Sequence, residues 1–290
     1  MTVSKRFERV ERESFRITPR DRQIIEAVFA ARYLTTQLVA TLLFTPTTLS
    51  SCKQRLRCLY DLKYLDKRRT QVNEPDIYYL GLRGKRYILS LGEYSKEDIE
   101  RIAGVAGEEA GAPNLMMRHE LTLAWLYVRA RLECARYGWN LCWKNTRMLE
   151  MLKLGLEPDA RIEVSYGERR RQAYLEFTAV MPTPSEMAGK LARYEAHWEK
   201  AALPAERAVK PATGSAVVLW LTTSQKNLSM LREAVRKSAY RDCFLLGLVE
   251  NAGSLADADS FLTGEMWWWS EAEQKMQWIK PSEAILYRPT

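Results

Sequence analysis

The sequence predicts a two-domain chain of α+β and α/β class: a helical, basic module in the first third and an α/β sheet module in the rest. Three observations carry this. The chain has 290 residues, long for one domain and comfortable for two. Its charge is lopsided: residues 1–92 hold 18 Lys and Arg against 9 Asp and Glu, and residues 93–290 hold 26 against 27. The formal net charge of +8 thus belongs to the first third, as in a polyanion-binding module joined to a near-neutral one. The apolar period also changes, from helical spacing over 119–137 to alternating strand and helix patterns beyond it.

Composition narrows the class. With 47% hydrophobic and 28% charged residues, the chain has enough apolar material for a core, which excludes a disordered or low-complexity protein. No run of about eighteen apolar residues, the length that spans a bilayer, is present in the sequence. Residues 1–16 mix acids with bases and lack an apolar centre, unlike a signal peptide. Cys52, Cys58, Cys134, Cys142 and Cys243 are scattered with no CxxC pair. They read as reduced thiols of a cytoplasmic protein, with no zinc site and no membrane partner.

Each element follows from local pattern. Residues 1–16 read as a charged, solvated arm. Thr18-Pro19 caps a first helix running to about Tyr33, with Ile24, Ile25, Val28 and Phe29 on one face. Thr35-Thr36 caps a short second helix with Leu38, Val39, Leu42, Leu43 and Phe44 inward. Pro46 breaks it, and Thr47 or Thr48 restarts a third helix to about Tyr64, its core face Leu49, Cys52, Leu56, Leu59 and Leu62. A strand over 65–72, a turn at Asn73-Glu74-Pro75-Asp76 and a strand over 77–80 form a hairpin. Gly81 to Gly84 then leads into a short helix over 85–91. Three helices followed by a basic, aromatic hairpin is the order of a winged helix-turn-helix, placed at 17–92.

Residues 93–118 read as a linker, with a short acidic helix ahead of a Gly/Ala-rich stretch at 104–113. From His119 to Tyr137 runs an amphipathic helix. Strands follow at 139–144, 160–165 and 173–177, a helix at 187–200, a strand at 216–222, a helix at 228–239 and a strand at 244–249. Short strands at 267–269 and 285–287 close an α/β domain over 119–290.

The outer face of the third helix carries the first candidate site. Opposite its core residues stand Thr48, Ser50, Ser51, Lys53, Gln54, Arg55 and Arg57. Arg grips guanine and Gln adenine in the major groove, while Ser, Thr and Lys reach phosphates. The hairpin adds Lys67, Arg68, Arg69 and Gln71, which can track the backbone or the minor groove. Any surface helix is polar outside, so the weight rests on helix order, hairpin and basic surplus together. The partner implied is double-stranded DNA.

The second candidate is acidic. Pro158-Asp159 opens one strand and Glu176 lies in the next, so two carboxylates can meet and hold a divalent ion such as Mg2+; Lys190 on the following helix can orient water. This is the layout of PD-(D/E)xK nucleases, with Thr178 in place of the consensus lysine. The competing reading is a turn aspartate after proline and an edge glutamate.

The order of these features resembles the replication-relaxation family of plasmids and integrative elements. The residues that carry it are the helix opening at Arg118-His119-Glu120, Pro158-Asp159, Leu175-Glu176-x-Thr178 and Lys190-x-x-x-Tyr194, over roughly 17–250. The resemblance implies a winged helix, a restriction-endonuclease-like α/β domain, and a role in plasmid replication or DNA relaxation. The family commonly has Glu-x-Asp in the second strand; Thr178 stands at the Asp position, which removes a metal ligand and favours an inactive domain.

Three readings follow. The first is a DNA-binding protein of a mobile element whose nuclease-like domain is weakened or inactive, acting in replication, transfer or transcription, with a homodimer or proteins of those processes as further partners. The second is an active Mg2+-dependent nuclease using Asp159, Glu176 and Lys190. The third is a DNA-tethered adaptor docking a partner through Trp267-Trp268-Trp269. His119 and His197 have no partner at metal spacing, and no GxxxxGK loop is present. Arg169-Arg170-Arg171 reads as a solvated hairpin tip.

Overall fold

A computed structural model of the chain describes residues 8–11, 16–45, 48–68, 75–103, 114–152, 155–200, 217–249, 261–262, 265–268 and 275–277. The fold is mixed α and β with two sheets. It divides into two compact units, Met1–Val128 and Arg129–Thr290. Among the described residues, no helix is long and apolar enough to cross a membrane.

In the first unit, α1 (Pro19–Ala31) begins at a capping box: the Thr18 hydroxyl accepts from the Asp21 amide, and the Asp21 carboxylate accepts from the Thr18 amide at 2.7 Å. A two-residue strand β1 (Leu34–Thr35) follows, where the sequence predicts only a cap. Thr35 is extended because it also caps α2 (Thr36–Leu43), accepting from the Leu38 amide at 3.2 Å. α3 (Leu49–Asp61) is shorter than expected at both ends; Lys63 turns the chain at φ 64°. β2 (Leu65–Arg68) and β3 (Ile77–Leu80) make the hairpin, and β1 joins as a third strand in the order β1-β3-β2. Residues 69–74, with Arg69 and Gln71 of the predicted first strand, lie outside the described residues.

α4 (Leu82–Ser90) starts three residues earlier than predicted, with Gly81 as N-cap, and α5 (Lys96–Ala103) is the expected acidic helix. Gly84 lets α4 lie against the turn after α3: a Cβ there would collide with the Tyr64 carbonyl oxygen. α6 (Asn114–Tyr137) begins before His119, and Met117 and Leu121 on it pack with Tyr33, Ile77 and Tyr79. Arg32 and Glu120 form a nearly buried ion pair at 2.6 Å.

In the second unit, β4 (Asn140–Asn145) is followed by a one-turn helix α7 (Thr146–Glu150), absent from the expected order and capped by Asn145, which accepts from the Met148 amide at 3.1 Å. β5 (Ala160–Tyr166) and β6 (Arg169–Thr178) form a long antiparallel hairpin turning at Gly167, φ 57°. Arg169, Arg170 and Arg171 therefore belong to β6, paired with Tyr166, Ser165 and Val164, which corrects their expected place in a loop. The polar outer end of a strand has the composition of a turn. α8 (Pro184–Lys200) opens with a Thr183–Glu186 capping box.

β7 (Val217–Thr222) lies parallel to β6, and β8 (Phe244–Leu248) parallel to β7, with α9 (Gln225–Arg236) between them. β9 (Glu265–Trp268) and β10 (Lys275–Gln277) complete a seven-stranded sheet, β10-β9-β8-β7-β6-β5-β4. Trp267 and Trp268 are β9 residues paired with Leu246 and Leu245. Trp269 and the expected strand at 285–287 lie outside the described residues. α8 and α9 cover one sheet face with a core of Tyr174, Leu191, Tyr194, Trp198, Trp220 and Phe244.

Candidate functional site

On α3, Cys52, Leu56 and Leu59 are fully buried. The opposite strip at the N-terminal half, Ser50, Ser51, Lys53 and Gln54, is exposed. Thr48 is half-buried, its hydroxyl donating to the Thr45 carbonyl at 2.9 Å.

The other expected contacts are engaged within the unit. Arg55 Nε donates to Asp21 at 2.9 Å, with a second guanidinium nitrogen on the other carboxylate oxygen. Burial opposes ionisation of Asp21, but the Arg55 guanidinium and the Thr18 donors outweigh it and hold the carboxyl below its usual range. Arg57 pairs with the buried Asp61 at 3.0 Å and donates to the Glu8 carbonyl. Lys67 and Arg68 are buried, and Lys67 lies 3.6 Å from Asp76 and 4.8 Å from the Tyr60 ring centroid. These four side chains do not form the outward-facing basic strip that the sequence predicts. The acids that hold the arginines were overlooked in the sequence, although Thr18-x-x-Asp21 is a cap signature and Arg57-x-x-x-Asp61 has helical pair spacing.

Part of the arm is also held in place. Arg9 pairs with Asp66 and sits over the Tyr60 ring at 4.1 Å, and the Val10 amide donates to Asp61 at 3.2 Å. This corrects, for residues 8–10, the expectation of a wholly solvated arm.

The second site lies on the α8 face of the large sheet. Ala160 pairs with Leu175, so Asp159 lies across from Glu176 and shares its face. The Asp159 carboxylate accepts from the Phe177 amide at 2.7 Å and thereby fixes the start of β5 against β6. Glu176 is fully buried. Its Oε1 accepts from the Tyr194 hydroxyl at 2.6 Å, and its Oε2 lies 2.5 Å from the Lys190 ammonium. Lys190 also lies 5.4 Å from the centroid of the Trp220 ring. The structure thus brings Asp159, Glu176 and Lys190 together, and adds Tyr194 one turn after Lys190.

Burial pushes the Glu176 carboxyl up to about 7, with the Lys190 charge acting against that rise and the Asp159 charge adding to it. Burial and the Glu176 charge raise the Tyr194 phenol well above its usual range, so it remains a neutral donor. Thr178, two residues along β6 and so on the same face as Glu176, is engaged by other partners: its hydroxyl accepts from Trp220 Nε1 at 2.9 Å, and its carbonyl accepts from Thr222 at 2.7 Å. His197 lies 3.2 Å from the Tyr174 hydroxyl, on the same helix face as Tyr194.

These residues do not fit a magnesium ion. Mg2+ needs near-octahedral oxygen ligands with open lone pairs. Here both Glu176 oxygens face a proton donor or a cation, and the Asp159 carboxylate accepts from the Phe177 amide. Among the described residues no group of three or more His, Cys, Asp or Glu is disposed to hold a metal ion.

The sequence profile of a family described as replication-relaxation matches residues 26–213. No curated protein matches the chain. Among solved structures, restriction endonuclease FokI aligns with 74% of this chain and 40% of that chain, at 14% identity and a TM-score of 0.25. The chain thus spans less than half the length of that enzyme.

Proposed function

The chain belongs to the replication-relaxation family, and from that premise we propose that it is a DNA-binding protein of a plasmid or mobile element. In this reading the first unit is a winged helix-turn-helix that lays α3 in the major groove. The second unit is a nuclease-like scaffold that does not cut. The observation that carries the reading is the division of labour on α3. Arg55 and Arg57 are tied to Asp21 and Asp61 and fix the helix in place. Ser50, Ser51, Lys53 and Gln54 at its N-terminal half are exposed, where recognition helices contact base edges. Arg69 and Gln71 are proposed from the sequence as additional backbone contacts.

The second half of the proposal rests on the Glu176–Lys190 contact. A carboxylate neutralised by the chain's own ammonium keeps the sheet intact without a divalent ion. Asp159 then serves as a strand clamp through the Phe177 amide.

The test is a fluorescence-anisotropy titration of a labelled duplex with wild type and Lys53→Ala/Gln54→Ala. The double variant should bind at least about tenfold more weakly, with an unchanged melting temperature. Equal affinity would remove α3 as the docking element.

A further inference from the structure

A separate feature of the first unit is a cleft of about 400 Å³ between the start of α1, the turn after α3 and α4. We propose that this cleft is a phosphate-binding site, taking either a backbone phosphate of DNA or the phosphates of a free nucleotide. Its wall on α4 is built from Arg83, Arg86, Tyr87 and Ser90, whose spacing places them on one helical face. Arg22 faces them from α1, and Tyr64 lines the cleft from the turn. The Arg83 guanidinium lies 5.8 Å from the Tyr64 ring centroid, which leaves its N–H edges available.

The charge pattern points to an anion. Arg32, Arg55, Arg57 and Lys67 in the same unit each have an acid partner. Lys85, on α4 but off the cleft face, pairs with Glu100 at 2.7 Å. Arg22, Arg83 and Arg86 have no carboxylate within ion-pair distance among the described residues. The acid at the rim, Glu26, takes the Tyr87 hydroxyl at 2.7 Å. Three guanidinium groups around one cleft repel each other, and a phosphate placed among them relieves that repulsion through charge-assisted hydrogen bonds. Two tyrosines and a serine hydroxyl supply the apolar wall and polar tip that a sugar or base needs. This site uses none of the exposed α3 side chains, so it stands or falls apart from them.

The experiment uses the full chain with two probes, a labelled DNA duplex and ADP. Wild type is compared with Arg22→Gln/Arg86→Gln, with the charge-keeping Arg22→Lys/Arg86→Lys, and with Lys96→Gln, an exposed α5 lysine that controls for net charge. All the altered side chains are exposed, so melting temperatures should stay at the wild-type value. If the site takes DNA, the Gln pair weakens duplex binding about tenfold and makes the log–log salt slope shallower by about two; Lys96→Gln changes affinity less than twofold, and the Lys pair retains most of it. If it takes a nucleotide, wild type binds ADP and the Gln pair does not. Either result supports the proposal. A Gln pair that matches Lys96→Gln with both probes overturns it, as does wild type that binds neither. Loss of duplex binding in Lys53→Ala/Gln54→Ala alone would leave the α3 reading standing without this one.

Discussion

Glu176 combines full burial with a close cation, the Lys190 ammonium. Its carboxyl is raised from an ordinary 4.5 to about 7, so between those values the folded protein holds a proton that the unfolded chain has released, and above about 7 the carboxylate is left paired with Lys190. Stability from this group is full below about pH 4.5 and declines as pH rises to about 7, by roughly 3 kcal/mol. Glu176→Gln cannot titrate, so the variant should gain about 2 kcal/mol on wild type between pH 5 and pH 8 in urea denaturation. A constant difference across that range would contradict the assignment. Asp21 has the opposite sign: its lowered carboxyl contributes stability at neutral pH that is lost as pH falls through the acidic range. Asp21→Asn should cost about 2 kcal/mol at pH 7, the worth of hydrogen bonds to a charged group, a penalty that shrinks in acid when followed by denaturant midpoint. Asp159, Glu176 and Lys190 were legible in the sequence because strand and helix periods aim them at one another. The engagement of Arg55 was not, because Asp21 lies 34 residues away and periodicity reports a face, never the partner across it.

At the scale of elements, α3 is held by what surrounds it. Gly84 brings α4 against the Tyr64 carbonyl at the turn where α3 ends. Gly84→Ala should therefore destabilise the first unit by about 2–3 kcal/mol through overpacking. Circular dichroism melts would register that loss, and a variant as stable as wild type would contradict the close approach. The helices and most strands were legible because buried faces impose a period. β1, with two residues, and α7, with five, are too short to carry one; they are set by caps at Thr35 and Asn145. The β5–β6 hairpin was read short because Arg169 and Arg170 are exposed and an exposed strand end has no alternation to detect.

At the scale of the whole molecule, the charge split acquires a sharper meaning. The surplus over residues 1–92 is not spread over the surface. Part of it is spent internally on Asp21, Asp61, Asp66 and Asp76. Of the remaining described cations, Lys53 lies on the outer strip of α3 and Arg22, Arg83 and Arg86 line the α4 cleft. In the second unit the buried carboxylate is balanced from within by Lys190. The proposed account is thus of a chain that holds DNA without cutting it. Incubation of supercoiled plasmid with the full chain and Mg2+ tests this most directly. The account predicts retarded migration at low salt and, after protein removal, plasmid that is still fully supercoiled. Nicked or linear plasmid that disappears with Glu176→Gln would contradict it.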